Sequence, residues 1–176
     1  MTTHEIFISL NNRMVGAMMI HTQLTQLFTF IDLLPDARRQ EQQLQEESHG
    51  MVELNKYYVQ HYHLLSVADN PPQIDILNLG LCKKSAKELS PKDKTYLIQY
   101  GMKEWIEWER QSKVMYEDAY NSLVELSEVA AAEFIMRYVR DVDQELKDAE
   151  MLYKVRDGIG WDLPTIYDKQ ARLGKR

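Results

Sequence analysis

Apolar residues recur every three or four positions through most of this chain, and no stretch alternates strictly enough to read as a strand. Ala17, Ile20, Leu24, Leu27 and Ile31 form one such stripe, and Leu44, Met51, Leu54, Tyr58, Tyr62 and Leu65 form a second. Ile98, Met102, Trp105, Ile106, Tyr116, Tyr120 and Leu123 make a third, and Ala131, Ile135, Val139, Val142, Leu146, Ala149 and Tyr153 a fourth. The spacing predicts four helices, from about Glu5 to Leu34, Asp36 to Leu65, Pro91 to Leu126 and Ser127 to Arg156. Punctuation agrees with these limits. Pro35 closes the first helix and Asp36 caps the second, while Ser90 precedes a proline at the first helical position. Ser127 caps the fourth helix, Gly158 and Gly160 stop it, and Asp162 opens a short terminal helix over about 163–173.

The joints at 34–36 and 126–128 are too short for anything but antiparallel hairpins. Between the hairpins, SVADNPPQIDILNLGLCKKSAKELS (66–90) is long enough to run the length of a helix, with a helical turn or two expected over 83–90. The fold class expected is all-α: a four-helix bundle over about 5–156, running up, down, long return, up, down, with a short C-terminal helix. At 176 residues the whole chain, 1–176, reads as one domain with one sizeable core. Internal repeats and low-complexity segments are absent.

Composition narrows the chemistry. The net charge of −6 is the wrong sign for non-specific nucleic-acid binding, so no nucleic-acid partner is expected. No run approaches the roughly 18 apolar residues of a membrane span. The opening MTTHEIFISL has no basic segment ahead of an apolar one, and Cys82 stands alone, so a reducing, cytoplasmic setting is expected. Cys82 itself reads as a small packed residue. The basic end, ARLGKR, reads as solvated. Phosphate-cradling glycine loops, Cys-x-x-Cys pairs and nucleophile elbows do not occur.

LNNRM in the first helix, QEESHG followed by MVELNKYY in the second, WIEWERQSKVMYEDAY in the third, EFIMRYV in the fourth and GIGWDLPTIYDKQ at the end occur in an order that resembles the ferritin-like superfamily, and ferritins in particular. The resemblance covers almost the whole chain. It implies an all-α bundle, symmetric self-assembly into at least a dimer, and iron oxidation or storage. It also implies that Glu109, in WIEWER, takes the place of the third-helix ligand.

Helical phase tests that implication, because a metal ligand must lie on the inner stripe at about 100° per residue. Glu46 and His49 have the Glu-x-x-His spacing of a di-iron ligand pair, yet Glu46 lies about 130° from the second stripe and His49 nearly opposite it. Glu47 lies about 30° from the stripe's centre, but three residues later stands Gly50, which has no ligand atom. Glu109 lies within about 10° of the third stripe's middle and is either a metal ligand or half of an ion pair with Lys113. Val142 holds the centre of the fourth helix, with Asp143 on its flank as a candidate ligand. The first helix has no inward acid; His21 or Gln23, expected opposite Glu47, can serve there only as a neutral ligand. His61 and His63 point apart, so paired metal binding by them needs a second chain.

Two inward carboxylates, Glu47 and Glu109, fall short of the two-iron recipe, and an intact di-iron ferroxidase is not expected. A single cation site, or a buried polar cluster involving Arg13 or Lys113, is. The expected function is iron binding or storage by a self-assembling protein through a degenerate carboxylate site. Glu46, Glu47, Glu53 and Glu109 are its residues to mutate, and Asp143 and His49 are further candidates. The alternative is a metal-free structural or protein-interaction module. MVGAMMI (14–20) is apolar around most of the helix and predicts a second buried face, as at a dimer interface.

Overall fold

The computed structural model describes the backbone of residues 1–173 and the side chains of residues 1–168, so the basic residues of ARLGKR lie outside the described side chains. Among the described residues there is no strand. Five α-helices follow in order: α1 (Thr3–Phe30), α2 (Leu34–Tyr62), α3 (Pro91–Glu125), α4 (Val129–Ile159) and the short α5 (Leu163–Leu173). Two 3-10 turns, Gly80–Lys83 and Ala86–Glu88, lie in the crossover. No helix among the described residues is long and apolar enough to cross a membrane.

Two of the helix starts are reciprocal caps, and the one at Ser90 is the cap the sequence predicts. Ser90 accepts from the Asp93 amide while the Asp93 carboxylate accepts from Ser90, with Pro91 where no amide is needed. Thr2 and Glu5 make the same reciprocal pair at α1. The other two differ. α1 stops at Phe30, and Asp32 reverses the chain in the left-handed region at φ 66°. Pro35 therefore does not end α1 but lies in the first turn of α2, where a missing amide costs nothing. Asp36 is not a cap; its carboxylate is buried against Arg156. Ser127 does not cap α4 either. It takes φ 62° as the turn residue, and Glu128 precedes the helix without a side-chain cap.

The chain runs up, down, down, up rather than up, down, up, down. Lys94, at the start of α3, bonds Asp32 at the end of α1 at 2.9 Å, so the crossover carries the chain back to the level where α2 began. At the other end of the bundle the Tyr62 hydroxyl donates to Glu128 at 2.9 Å, tying the end of α2 to the start of α4.

The crossover lies along α1 and covers one side of MVGAMMI, at Gly16 and Ile20, while Met19 stays exposed. Asn12 bonds Asp69 and the Asp69 and Asn70 amides, and Gln23 bonds the Ile74 carbonyl and Ile76 amide, both at 2.7 Å. Pro72 closes on Gly16. Part of the predicted second face is thus buried within one chain.

Apolar side chains gather into two clusters rather than one. Leu24, Leu27, Phe28, Leu97, Ile98, Met102 and Trp105 anchor the first, which α5 closes with Ile166. Phe7, Leu10, Met14, Leu54, Tyr116 and Ile135 anchor the second. On α3 the boundary falls between Trp108 and Tyr116, and on α4 between Val142 and Ala149. Buried polar side chains occupy that middle layer.

Candidate functional site

Each of the four long helices sends polar groups into the middle layer. α1 supplies Arg13 and His21, α2 supplies Gln40 and Glu47, α3 supplies Glu109 and Ser112, and α4 supplies Glu145. Glu109 is 1% exposed, and its carboxylate accepts from the Trp105 indole at 3.0 Å. His21 Nε2 lies 3.7 Å from the same carboxylate oxygen and has no hydrogen-bond partner, while its Nδ1 meets Gln40 Oε1 at 2.7 Å. Glu47 lies on the wall of a cleft between α2 and α4, of about 920 Å³, that Glu145 and Tyr116 also line.

Electrostatics ties these groups together. Burial pushes the Glu47 carboxyl up from its ordinary 4.5 to about 7, with Arg13 drawing it back. Glu109 is raised by burial and then by Glu47, against the Trp105 hydrogen bond and Arg13. Glu145 is raised by burial and then by Glu109 and Glu47. Glu47 thus helps to keep Glu109 and Glu145 protonated, while its own proton is held by burial and by Glu46 and Asp141. Burial lowers the Arg13 guanidinium to about 10, opposed by Glu109, Tyr116 and Glu47, so it is charged at neutral pH. Burial lowers His21 to about 4, leaving a neutral imidazole beside Glu109.

Glu109 occupies the interior that helical phase assigns it, and Glu47, half-buried, faces inward from the cleft wall. His49 is 75% exposed and pairs with Glu53, and Glu46 is an exposed acceptor for Gln42 and Gln43. Lys113 does not partner Glu109: its ammonium lies 2.5 Å from Asp143 and 4.0 Å from Glu117. Asp143 stays on the flank, held by Lys113 and Lys147, whose hydrogen bonds lower its carboxyl to about 2. Neither His61 nor His63 is half-buried; both are exposed, and His61 stacks on Tyr57 with ring centroids 4.0 Å apart.

Two corrections concern register. The reversal falls at Asp32 rather than Pro35, so Asn55 meets Asn11 and Gln40 meets His21. Glu47 then lies opposite the Met14–Ala17 turn, not His21–Leu24. The inner face of α4 also carries an acid. Glu145 stands three residues after Val142 and four before Ala149, the spacing of a continuous inner stripe, and that spacing was its sequence signal.

Gly50 has a structural reason to lack a side chain. The Tyr138 hydroxyl spans the cleft to donate to the Gly50 carbonyl at 2.9 Å, and a Cβ at Gly50 would meet the Tyr138 ring at 3.3 Å. The space a histidine ligand needs is filled by a tyrosine. Among the described residues, no three His, Cys, Asp or Glu side chains converge closely enough to hold a metal ion as they stand.

No protein-family model matches the chain, and no curated protein matches its sequence. Solved structures do match. An open-pore ferritin from the hyperthermophilic archaeon Archaeoglobus fulgidus aligns with a TM-score of 0.71 at 15% identity, over 99% of this chain and 96% of that one. A closed form of the Archaeoglobus fulgidus ferritin, engineered by site-directed mutagenesis, aligns with a TM-score of 0.72 at 15% identity, over 99% of this chain and 95% of that one. The chain has the ferritin-like fold.

Proposed function

We propose that this ferritin-like bundle binds iron at one site made by Glu47, Glu109 and Glu145, in exchange for protons, and that it works as a self-assembling iron-binding or storage protein. The observation that carries this reading is the charge balance of the middle layer. Glu109 and Glu47 feel the Arg13 guanidinium and Glu145 feels both of those acids, so full ionisation of the three leaves two negative charges, the complement of one divalent ion. Carboxylate oxygens suit a hard divalent cation, and the unpartnered His21 Nε2 beside Glu109 adds a nitrogen donor. The cleft between α2 and α4 offers a way in, with the exposed acids Glu46 and Asp141 and the half-buried Asp148 along it. Asp143, tied to two lysines, is not among the ligands in this reading. A two-iron oxidase is not part of it either, because Gly50 and Val142 offer no ligand atom.

Anaerobic titration with ferrous iron at pH 7 tests the reading, with elemental analysis for stoichiometry and a pH indicator for proton release. One equivalent of iron bound with release of between two and three protons is expected, and both should vanish in Glu109→Ala. Absence of binding after both anaerobic and aerobic loading leaves the alternative reading, a metal-free structural or interaction module. The resident Arg13 charge and the tyrosine beside Gly50 favour that alternative.

Self-assembly draws on the same likeness, since an open pore or a closed form describes a wall built of several copies. Sedimentation at micromolar concentration should show a dimer or larger species, and a monomer alone removes this part of the reading.

A further inference from the structure

We propose that the open seam between α2 and α4 binds a linear oligoamine, a chain of ammonium groups joined by short alkyl spacers. The inference does not depend on the iron-binding reading, because the acids that carry it lie outside the proposed iron ligands. α1 packs on α2, α3 on α4 and α1 on α3, but α2 and α4 stand apart between two clamps. At one end Arg137 bonds Glu53 at 3.1 Å, and the Tyr138 hydroxyl donates to the Gly50 carbonyl at 2.9 Å. At the other end Arg156 closes on Asp36 at 2.5 Å. The cleft of about 920 Å³ is thus held open by rigid helices and is of a size that takes a small organic molecule.

The clamps also fix the level of each lip. With Glu53 beside Arg137 and Asp36 beside Arg156, the antiparallel helices set Glu46 of α2 at a level between Asp141 and Asp148 of α4. Asp141, Glu46 and Asp148 therefore follow one another along the groove at steps of roughly 5 to 6 Å, about one helical turn. None of the three has an ion-pair partner among the described residues. Glu46 accepts from Gln42 at 2.8 Å and Asp148 from Gln144 at 2.9 Å, both neutral donors. Among the described residues no three such groups converge on one point, so a small ion meets only part of the row. A flexible cation with its charges spread along a chain meets each acid in turn. Arginines limit the row at both ends, Arg137 beyond Asp141 and Arg38 and Arg39 beyond Asp148, which suits a triamine better than a longer chain.

Below the lips, a buried side chain points to a ligand independently of the acids. Tyr116 is 5% exposed and lines the cleft, and its hydroxyl finds no hydrogen-bond partner among the described residues. The other buried tyrosines are engaged, Tyr58 with His4 and Tyr138 with Gly50. The Tyr116 and Tyr138 rings stack with centroids 5.8 Å apart, a π surface that attracts an ammonium group while the free hydroxyl accepts from it. Gln43, also on the wall, has a buried Oε1 without a donor. Carboxylates, a free phenol oxygen and an unmet amide oxygen are all acceptors, and an alkylammonium chain supplies N–H donors that carry positive charge.

Calorimetric titration with spermidine at pH 7, with chelator present so that no metal takes part, tests this on the full chain. One equivalent of spermidine should bind, and putrescine, with one ammonium group fewer, about tenfold more weakly. Glu46→Gln combined with Asp141→Asn should weaken spermidine about 10- to 100-fold, and Tyr116→Phe several-fold. Asp118→Asn combined with Glu133→Gln removes the same charge away from the cleft and should stay within about threefold of wild type. Circular dichroism checks that each variant is helical. Absence of spermidine binding at millimolar concentration overturns the inference. Equal weakening in the two double variants also overturns it, since binding would then follow net charge alone. Displacement of spermidine by an equal concentration of magnesium does the same, because it marks a site for a point ion. Should Tyr116→Phe not fold, the two double variants, all four substitutions being of surface acids, decide the matter between them.

Discussion

Between pH 6.5 and pH 8 the metal-free protein is expected to lose stability steadily, and Glu109→Gln to lose markedly less. The cause is the layer of raised carboxyls. As pH climbs past 4.5 the unfolded chain releases a proton that folded Glu47 retains, so rising pH favours unfolding until Glu47 ionises at about 7. At about 1.4 kcal/mol per pH unit, Glu47 alone contributes a loss of roughly 3 kcal/mol. Glu109 and Glu145 are raised in the same direction and extend the decline to higher pH.

His21 opposes this in a lower window. Its imidazole falls from 6.5 to about 4 on folding, so the stability it contributes is lost as pH drops from 6.5 toward 4. Asp143, lowered from 3.8 to about 2, matters only below that range. The groups facing Glu109 are Arg13 and His21 from α1, Glu47 from α2, Trp105 from its own helix and Glu145 from α4. Above pH 6.5 only the acids titrate among them, and the sign is unambiguous. Glutamine at 109 keeps the oxygen that accepts from Trp105 and removes one charge. Thermal melts with chelator present should place the variant roughly 5 to 10 °C above wild type at pH 8 and close to it at pH 5. The same difference at both pH values would contradict this account.

Asp36→Ala should be the most damaging single substitution outside the middle layer, costing about 3 to 5 kcal/mol. Asp36 and Arg156 are each about 2% exposed and meet at 2.5 Å, joining the start of α2 to the end of α4. Arg156 Nη1 already lacks a partner, so removing the carboxylate leaves a buried cation with little else to hold it. Replacing both residues, as Asp36→Leu with Arg156→Met, removes the charge together with its partner and should recover most of the loss. Denaturant titrations of the two variants check this; a single variant within about 1 kcal/mol of wild type would show that the pair is not a clamp.

The bundle was readable because helical period and chain length constrain it. Three- and four-residue spacings fix which faces are buried, and a segment as long as 66–90 has to travel. The joints were less readable because one residue type serves several backbone roles. Pro35 suits a helix's first turn as well as its end, and Ser127 suits a left-handed turn as well as a cap. Misplacing the first reversal by three residues shifted the α1–α2 register by about two turns, which is why His21 rather than the Met14–Ala17 turn was expected opposite Glu47. Phase identified Glu47, Glu109 and the outward His49, since each lies near the middle of a face. Glu145 escaped because Leu146, beside it, is the better apolar match to the stripe. Lys113 misled in the opposite way: it stands one turn from Glu109, but Asp143 on α4 holds it, and a single helix's pattern carries no information about a neighbour.

The strap along α1 has a topological consequence. Two antiparallel hairpins can dock in either of two mirror arrangements with much the same apolar burial, and apolar stripes alone discriminate poorly between them. Asn12, Gly16 and Gln23 receive the strap on one side of α1 in ascending order, matching Asp69, Pro72 and Ile74. A chain laid down in that groove delivers the second hairpin from one direction only, so the handedness of the bundle is written into three polar or bare positions on its first helix.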